Sequence, residues 1–206
     1  MSQDTATLDR RYKSAAPKWS DRMRVLGYYD AYLGFLSHLP LGDRTGKRVI
    51  DIGAGTGAMA EAWVAVNGTP EKLVLLDPSK AMLAKAEATL NGRGVRADYR
   101  VESLNDDTAG QFDVLLGAHV IEHFADPTRA LRHMRRLARP GAHLWLSVSK
   151  PHWCSTLIWL QWRHRTFRRP ELNEMLEAAG FAVEHPYSFP AGPPSRTSFG
   201  VVARAI

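Results

Sequence analysis

Residues 49–62 read VIDIGAGTGAMAEA. A short apolar run carrying one acid, Asp51, meets Gly53, Gly55 and Gly57, and a stretch of helix formers follows. The run is strand-like, being too short for a helix and rich in β-branched residues. Glycines without a Cβ let the backbone turn tightly there and approach a bound molecule. Strand, glycine-rich turn and helix in this order open a parallel crossover unit.

The same alternation extends outward in both directions. Upstream, residues 22–38 place Val25, Tyr28, Tyr29, Tyr32, Leu33 and Leu36 at helical spacing, which predicts one amphipathic helix. PLGDRTGK (40–47) then breaks it. Downstream, the strand-like KLVLLD (72–77) precedes a helix over 79–90 that Pro78 and Ser79 open. GVRADYRV (94–101) is a weaker strand. FDVLLGA (112–118) is a strong one, followed by a helix over 127–138 that stops at Arg139-Pro140-Gly141. AHLWLSVS (142–149) is again a strand, and a helix over 169–180 ends at a glycine. FAVEHPYSF (181–189) and TSFGVVARA (197–205) read as strands joined by a Pro/Gly-rich loop. Apolar strands separated by helices imply a mostly parallel sheet covered on both faces, hence a doubly wound α/β fold. The expected sheet has seven strands, ending in a C-terminal antiparallel pair.

At 206 residues the chain suits one domain. Its expected parts are an N-terminal helical cap (1–45), a ligand-binding core (46–150), a basic Trp-rich insertion (151–169), and a C-terminal helix with the strand pair (170–206). With 45% hydrophobic and 23% charged residues the composition is that of a soluble globular protein. A net charge of +6 and a pI near 9.7 favour anionic partners. The single cysteine, Cys154, excludes an intramolecular disulfide and fits a reducing compartment. No signal-peptide core or membrane-length apolar run is present, so a cytoplasmic location is expected.

In a doubly wound sheet, ligands sit at the carboxyl ends of the strands, where Gly53, Gly55 and Gly57 fall. Gly53-x-Gly55-x-x-Ala58, with Asp77 at the spacing of a ribose-binding acid, also satisfies a dinucleotide fingerprint. Asp51 separates the readings. A carboxylate beside a pyrophosphate is a costly like-charge contact, whereas the ammonium and sulfonium of S-adenosylmethionine are cations that an acid favours. Asp51 can also simply brace the following turn.

VIDIGAGTG resembles the first motif of class I S-adenosylmethionine-dependent methyltransferases, of the ubiquinone/menaquinone-pathway small-molecule subgroup. LVLLDPSKAML, FDVLLGAHVIEHFADP and RLARPGAHLWLSVSKP continue the resemblance in the family's order. RRYKSAAPKWSD resembles its entry segment, with Trp19 in place of a Tyr. The resemblance implies a Rossmann-like methyltransferase fold, S-adenosylmethionine as cofactor and S-adenosylhomocysteine as product. It further implies that Tyr12 belongs to the cofactor site, and that the backbone of Gly53, Ala54, Gly55 and Gly57 cradles the methionine moiety. Asp77 would take the ribose hydroxyls, and Pro78 and Met82 would flank the adenine. After the third strand the family carries an acid near the adenine amine. Here Asp98 or the Glu102-Ser103 pair stands there, and Glu102 and Ser103 are favoured.

The resemblance places the transferred methyl at GAHVIEHFADP, beside Ala118 and His119. A histidine there can take the proton of a hydroxyl or ammonium acceptor, making His119 the candidate base. Packing or stacking against the substrate is its equal alternative. His119, Glu122 and His123 also spell H-x-x-E-H, a zinc-protease spacing. That site needs a long helix, which Asp126-Pro127 forbids. Some ubiquinone-pathway O-methyltransferases and RNA 2′-O-methyltransferases carry an acid-x-x-Glu-His metal site here. With His119 as first ligand the set is incomplete for a hard cation, and no metal is expected.

Trp153, Leu157, Ile158, Trp159, Leu160 and Trp162 crowd into ten residues, ringed by Lys150, Arg163, Arg165, Arg168 and Arg169. Over 152–169 this suits peripheral contact with an anionic membrane, a lid over a lipophilic acidic substrate, or ordinary packing. A dimer interface would use the same features. Arg129, Arg132, Arg135, Arg136 and Arg139 read as the solvated face of a helix. The expected activity is methyl transfer to a small lipophilic acceptor (a quinol, phenol or lipid headgroup). An RNA methyltransferase and a catalytically silent cofactor-binding regulator are the alternatives, and nucleic acid is the less favoured partner because no RNA-recognition module is added.

Overall fold

The computed structural model describes residues 21, 23–39, 46–152 and 165–206. Its strands are β1 (Arg48–Ile52), β2 (Lys72–Leu76), β3 (Asp98–Arg100), β4 (Phe112–Ala118), β5 (Ala138–Ser149), β6 (Phe181–Tyr187) and β7 (Ser198–Ala205). They form one seven-stranded sheet in the order β3-β2-β1-β4-β5-β7-β6. The first five in that order run parallel, and β7 lies antiparallel between β5 and β6. The direction of winding reverses between β1 and β4. That reversal opens a crevice at the strands' carboxyl ends.

The helices are α1 (Tyr28–Ser37), α2 (Ala58–Asn67), α3 (Lys80–Asn91), α4 (Pro127–Leu137), α5 (Arg169–Ala178) and α6 (Gly192–Thr197). Side chains alternate across a strand, so neighbours in β1 and β2 enter opposite cores. Val49, Leu73 and Leu75 pack with Tyr32 and Phe35 of α1, Trp63 of α2 and Leu90 of α3. Ile50, Ile52, Val74 and Leu76 pack with Leu131 and Met134 of α4 and Leu172 and Leu176 of α5. The result is three layers. Among the described residues no helix is long and apolar enough to cross a membrane.

Three local readings change. The helix expected over 22–38 is interrupted at Gly27, whose φ of 79° is left-handed, so α1 starts only at Tyr28. The Pro/Gly-rich loop before β7 contains α6, because prolines in a first turn carry the φ a helix needs and lose no hydrogen bond. β5 begins at Ala138, four residues before the expected run, with an irregularity in its pairing to β4 between Phe112 and Val114. Ser79 caps α3 by accepting from the Met82 amide, and Asp126 caps α4 by accepting from the Arg129 amide at 3.0 Å.

Candidate active site

A cavity of about 550 Å³ opens at the carboxyl ends of β1, β2 and β4. It is lined by Asp51, Gly53, Ala54, Gly55, Asp77, Pro78, Met82, Ser103, Ala118 and His119, ten of the residues singled out from sequence. Gly57 and Glu102 are not among its lining residues. Tyr12 and residues 153–164 lie outside the described residues, and so do the main tryptophans of the basic insertion.

The loop after β1 is held by its own backbone. The Gly53 and Ala54 amides both donate to the Leu76 carbonyl, at 2.8 and 3.1 Å, which ties the loop to the end of β2. Asp77 accepts from the Gly55 amide through Oδ2 at 2.9 Å and from the Ser79 amide through Oδ1 at 2.8 Å. Each carboxylate oxygen can accept more than one bond, so Asp77 can still meet a diol. Asp51 accepts from the Ala60 amide in the first turn of α2 at 3.1 Å, so it does brace the turn while also facing the cavity.

Burial raises the pKa of both acids. Asp51 is pushed up to about 7, chiefly by desolvation; the Ala60 amide works against the shift and the Asp77 charge adds to it. Asp77 is raised by burial against the opposing Ser79 and Gly55 amides. Burial thus disfavours the ionised form of both acids, and a cation placed beside them would favour it.

At the end of β4, His119 has a φ of 54°, the one positive value at a non-glycine among the described residues. Its amide donates to the Ser147 carbonyl at 2.8 Å. Ring Nδ1 lies 3.2 Å from Glu122 Oε1 and 3.1 Å from Ser149 Oγ, and Nε2 lies 3.4 Å from Ser198 Oγ. The Tyr28 ring stands edge-on to the imidazole at 5.7 Å. Burial works to raise the Glu122 pKa, but the His119 ring, the Ser149 amide and His123 outweigh it and hold the carboxyl below its usual range. His123 is pushed down, mainly by burial. Among the described residues no group of three or more His, Cys, Asp and Glu side chains is arranged to hold a metal.

The cavity wall also includes residues that the sequence reading did not select, among them Met23, Tyr32, Met59, Asp106, Arg129 and His133. Asp106 accepts from Arg129 at 2.7 Å and Arg136 at 2.8 Å, and these bonds lower its pKa. Arg135 instead donates to the Gly180 carbonyl at 3.1 Å, and Arg139 pairs with Asp113 at 2.9 Å. The arginines read as a solvated face are exposed at Arg129, Arg132 and Arg136, and Arg129 and Arg136 pair on that surface with Asp106. Tyr32 had a signal in the helical periodicity of α1. Asp106 and His133 meet only through tertiary folding and carried none.

A family model described as a methyltransferase domain matches residues 22–186. A ubiquinone biosynthesis O-methyltransferase of Pseudomonas aeruginosa is 37% identical over 106 residues, covering 50% of this chain and 44% of that protein. One of Xanthomonas axonopodis is 34% identical over 106 residues, covering 50% and 43%. The chain thus spans less than half the length of these curated relatives. Among solved structures, the magnesium protoporphyrin IX methyltransferase of Synechocystis PCC 6803 with bound SAH superposes with a TM-score of 0.77 at 15% identity, over 98% of this chain and 100% of that one. A complex of the Haloferax volcanii Trm112 methyltransferase activator with a putative methyltransferase gives a TM-score of 0.77 at 18% identity, over 96% and 97%. These likenesses establish the shared fold.

Proposed function

The chain belongs to the methyltransferase-domain family, and on that premise we propose that it transfers the methyl group of S-adenosylmethionine to a small, lipophilic acceptor, releasing S-adenosylhomocysteine. The observation that carries the reading is the pair Asp51 and Asp77, buried acids on adjacent strand ends facing one cavity. A dinucleotide would bring its pyrophosphate against Asp51, whereas a sulfonium and an ammonium suit that acid, and Asp77 suits the ribose of either ligand.

In this reading the backbone of Gly53, Ala54 and Gly55 lies along the methionine moiety, with Gly57 setting the turn behind it. Asp77 takes the ribose diol. Pro78 and Met82 flank the adenine, with Ser103, beside Glu102, closing the loop after β3. Tyr12 is assigned to the cofactor on the resemblance of the entry segment alone. Ala118 and His119 stand next to the methyl group, with His119 the base for a hydroxyl acceptor. Similarity to ubiquinone O-methyltransferases supports an aromatic or quinol-like acceptor. Cofactor and acceptor held at contact distance gain most of the available rate from orientation.

The test uses S-adenosylmethionine labelled on the methyl group, incubated with the protein and a crude bacterial extract. Label partitioning into organic solvent is the expected outcome. Label in nuclease-sensitive precipitate would instead assign the acceptor to RNA. The absence of any labelled product or S-adenosylhomocysteine, despite a thermal shift with cofactor, would make the chain a silent binder.

A further inference from the structure

Resting on the reading of His119 as the base, we propose that Glu122 is its positioning residue: the carboxylate selects the tautomer with hydrogen on Nδ1, so that Nε2 is the atom that takes the acceptor's proton. Four observations support this. Glu122 is 5% exposed, and its Oε1 is fixed from the backbone by the Ser149 amide at 2.7 Å, so the oxygen facing the imidazole cannot swing away. That same oxygen stands 3.2 Å from Nδ1. With hydrogen on Nε2, the Nδ1 lone pair would point at an anionic oxygen; with hydrogen on Nδ1, the contact becomes a charge-assisted bond.

The backbone provides the third observation. A histidine at a φ of 54° is strained, and the strain persists only because the surroundings over-determine it. Here the His119 amide is held by Ser147, while its ring is held by Glu122, Ser149 and Tyr28. Fourth, His119 lines the cavity, and among the described residues Nε2 has one hydrogen-bond contact, with Ser198 Oγ at 3.4 Å, too long to hold the nitrogen firmly.

The other oxygen, Glu122 Oε2, is buried and finds no hydrogen-bond partner among the described residues. Its charge is therefore only partly neutralised by hydrogen bonds. In the transfer step, the acceptor's O–H bond breaks and its proton goes to Nε2, while the acceptor oxygen bonds to the methyl carbon. The carbon–sulfur bond breaks with its electron pair staying on sulfur, which leaves a neutral thioether. Glu122 touches neither reactant. It acts through His119.

The experiment is long-range proton–nitrogen NMR on the full chain labelled with nitrogen-15 histidine. The His119 signals are identified by their loss in His119→Asn, a substitution suited to the left-handed backbone. Neutral His119 with hydrogen on Nδ1 is the expected result, and hydrogen on Nε2 overturns the proposal. A second arm uses the near-isosteric Glu122→Gln. Its kcat should fall about tenfold to a hundredfold, within the range of general-base contributions, while the Kd for S-adenosylhomocysteine stays within about twofold. A parallel loss of both kcat and affinity would mark a merely structural role and overturn the assignment. The tautomer is read without turnover, so a failure of the methyl-transfer reading stays distinct from a failure of this one.

Discussion

Asp51 is 1% exposed, and its carboxyl is raised by burial from 3.8 to about 7. Between those values the folded, ligand-free protein holds a proton that the unfolded chain has released. Stability should therefore decline as pH rises from about 4 to about 7, with the proton-rich native state favoured at the low end. Asp77 is shifted in the same direction by its own burial and adds to the slope. A cationic cofactor reverses the balance, because it favours the ionised acid. Below pH 7, binding should release up to about one proton from Asp51, and affinity should climb with pH by at most about tenfold per unit. Calorimetric titration with S-adenosylhomocysteine, whose ammonium remains, in buffers of different ionisation enthalpy measures that proton. Asp51→Asn should weaken binding and abolish this residue's share of the release. An unchanged proton count in the variant would mean that Asp51 stays protonated in the complex.

Within the β1–loop–α2 element, glycines that look equivalent in VIDIGAGTG do different work. Gly57, at a φ of 79°, sits where a Cβ would come 2.9 Å from the Cβ of Ala86 in α3. Gly55, at a φ of 54°, has open space in that direction and lines the cavity. Gly57→Ala should therefore cost stability, about 1–3 kcal/mol from overpacking plus backbone strain, even without ligand. Gly55→Ala should cost less stability and proportionately more cofactor affinity, since its backbone carries the loop's open face. Thermal melts with and without S-adenosylhomocysteine separate the two effects, and equal apo destabilisation by both would remove the distinction. The sequence showed the strand, the turn and the helix because each is a local pattern. It could not show that Gly57 faces α3 rather than ligand, since Ala86 lies far along the chain. For the same reason the break at Gly27 was hidden within a helical periodicity, and α6 within a proline-rich composition.

Across the whole molecule, one buried acid adds a polar junction to the apolar packing that holds the segment ahead of α1 against α2 and α3. Glu61 of α2 is 2% exposed and pairs with Arg24, just ahead of α1, and with Arg93, just beyond α3. The Arg93 Nε bond is 2.8 Å long, and the Arg24 guanidinium also covers the Tyr29 ring at 4.3 Å. Met23, next to Arg24, and Tyr32 of α1 both line the cavity, so this junction links the wall of the site to the helical layer. None of it was legible in the sequence. Its three members come from separate segments, and nothing in the helix formers after Gly57 marks Glu61 as a junction. Both arginines are more than a third exposed and can turn to water when the acid is lost. Glu61→Gln should thus remove two charge-assisted bonds at a net cost of about 1–3 kcal/mol, below that of a fully buried pair. The loss should be local. Hydrogen exchange should quicken in residues 28–37 while the amides of β1, β4 and β5 keep their protection. Acceptor KM should rise more than cofactor Kd, because Asp51 and Asp77 are held by their own loop. Uniformly faster exchange across the sheet would show instead that Glu61 supports the core as a whole, and that α1 does not move as a separate wall of the site.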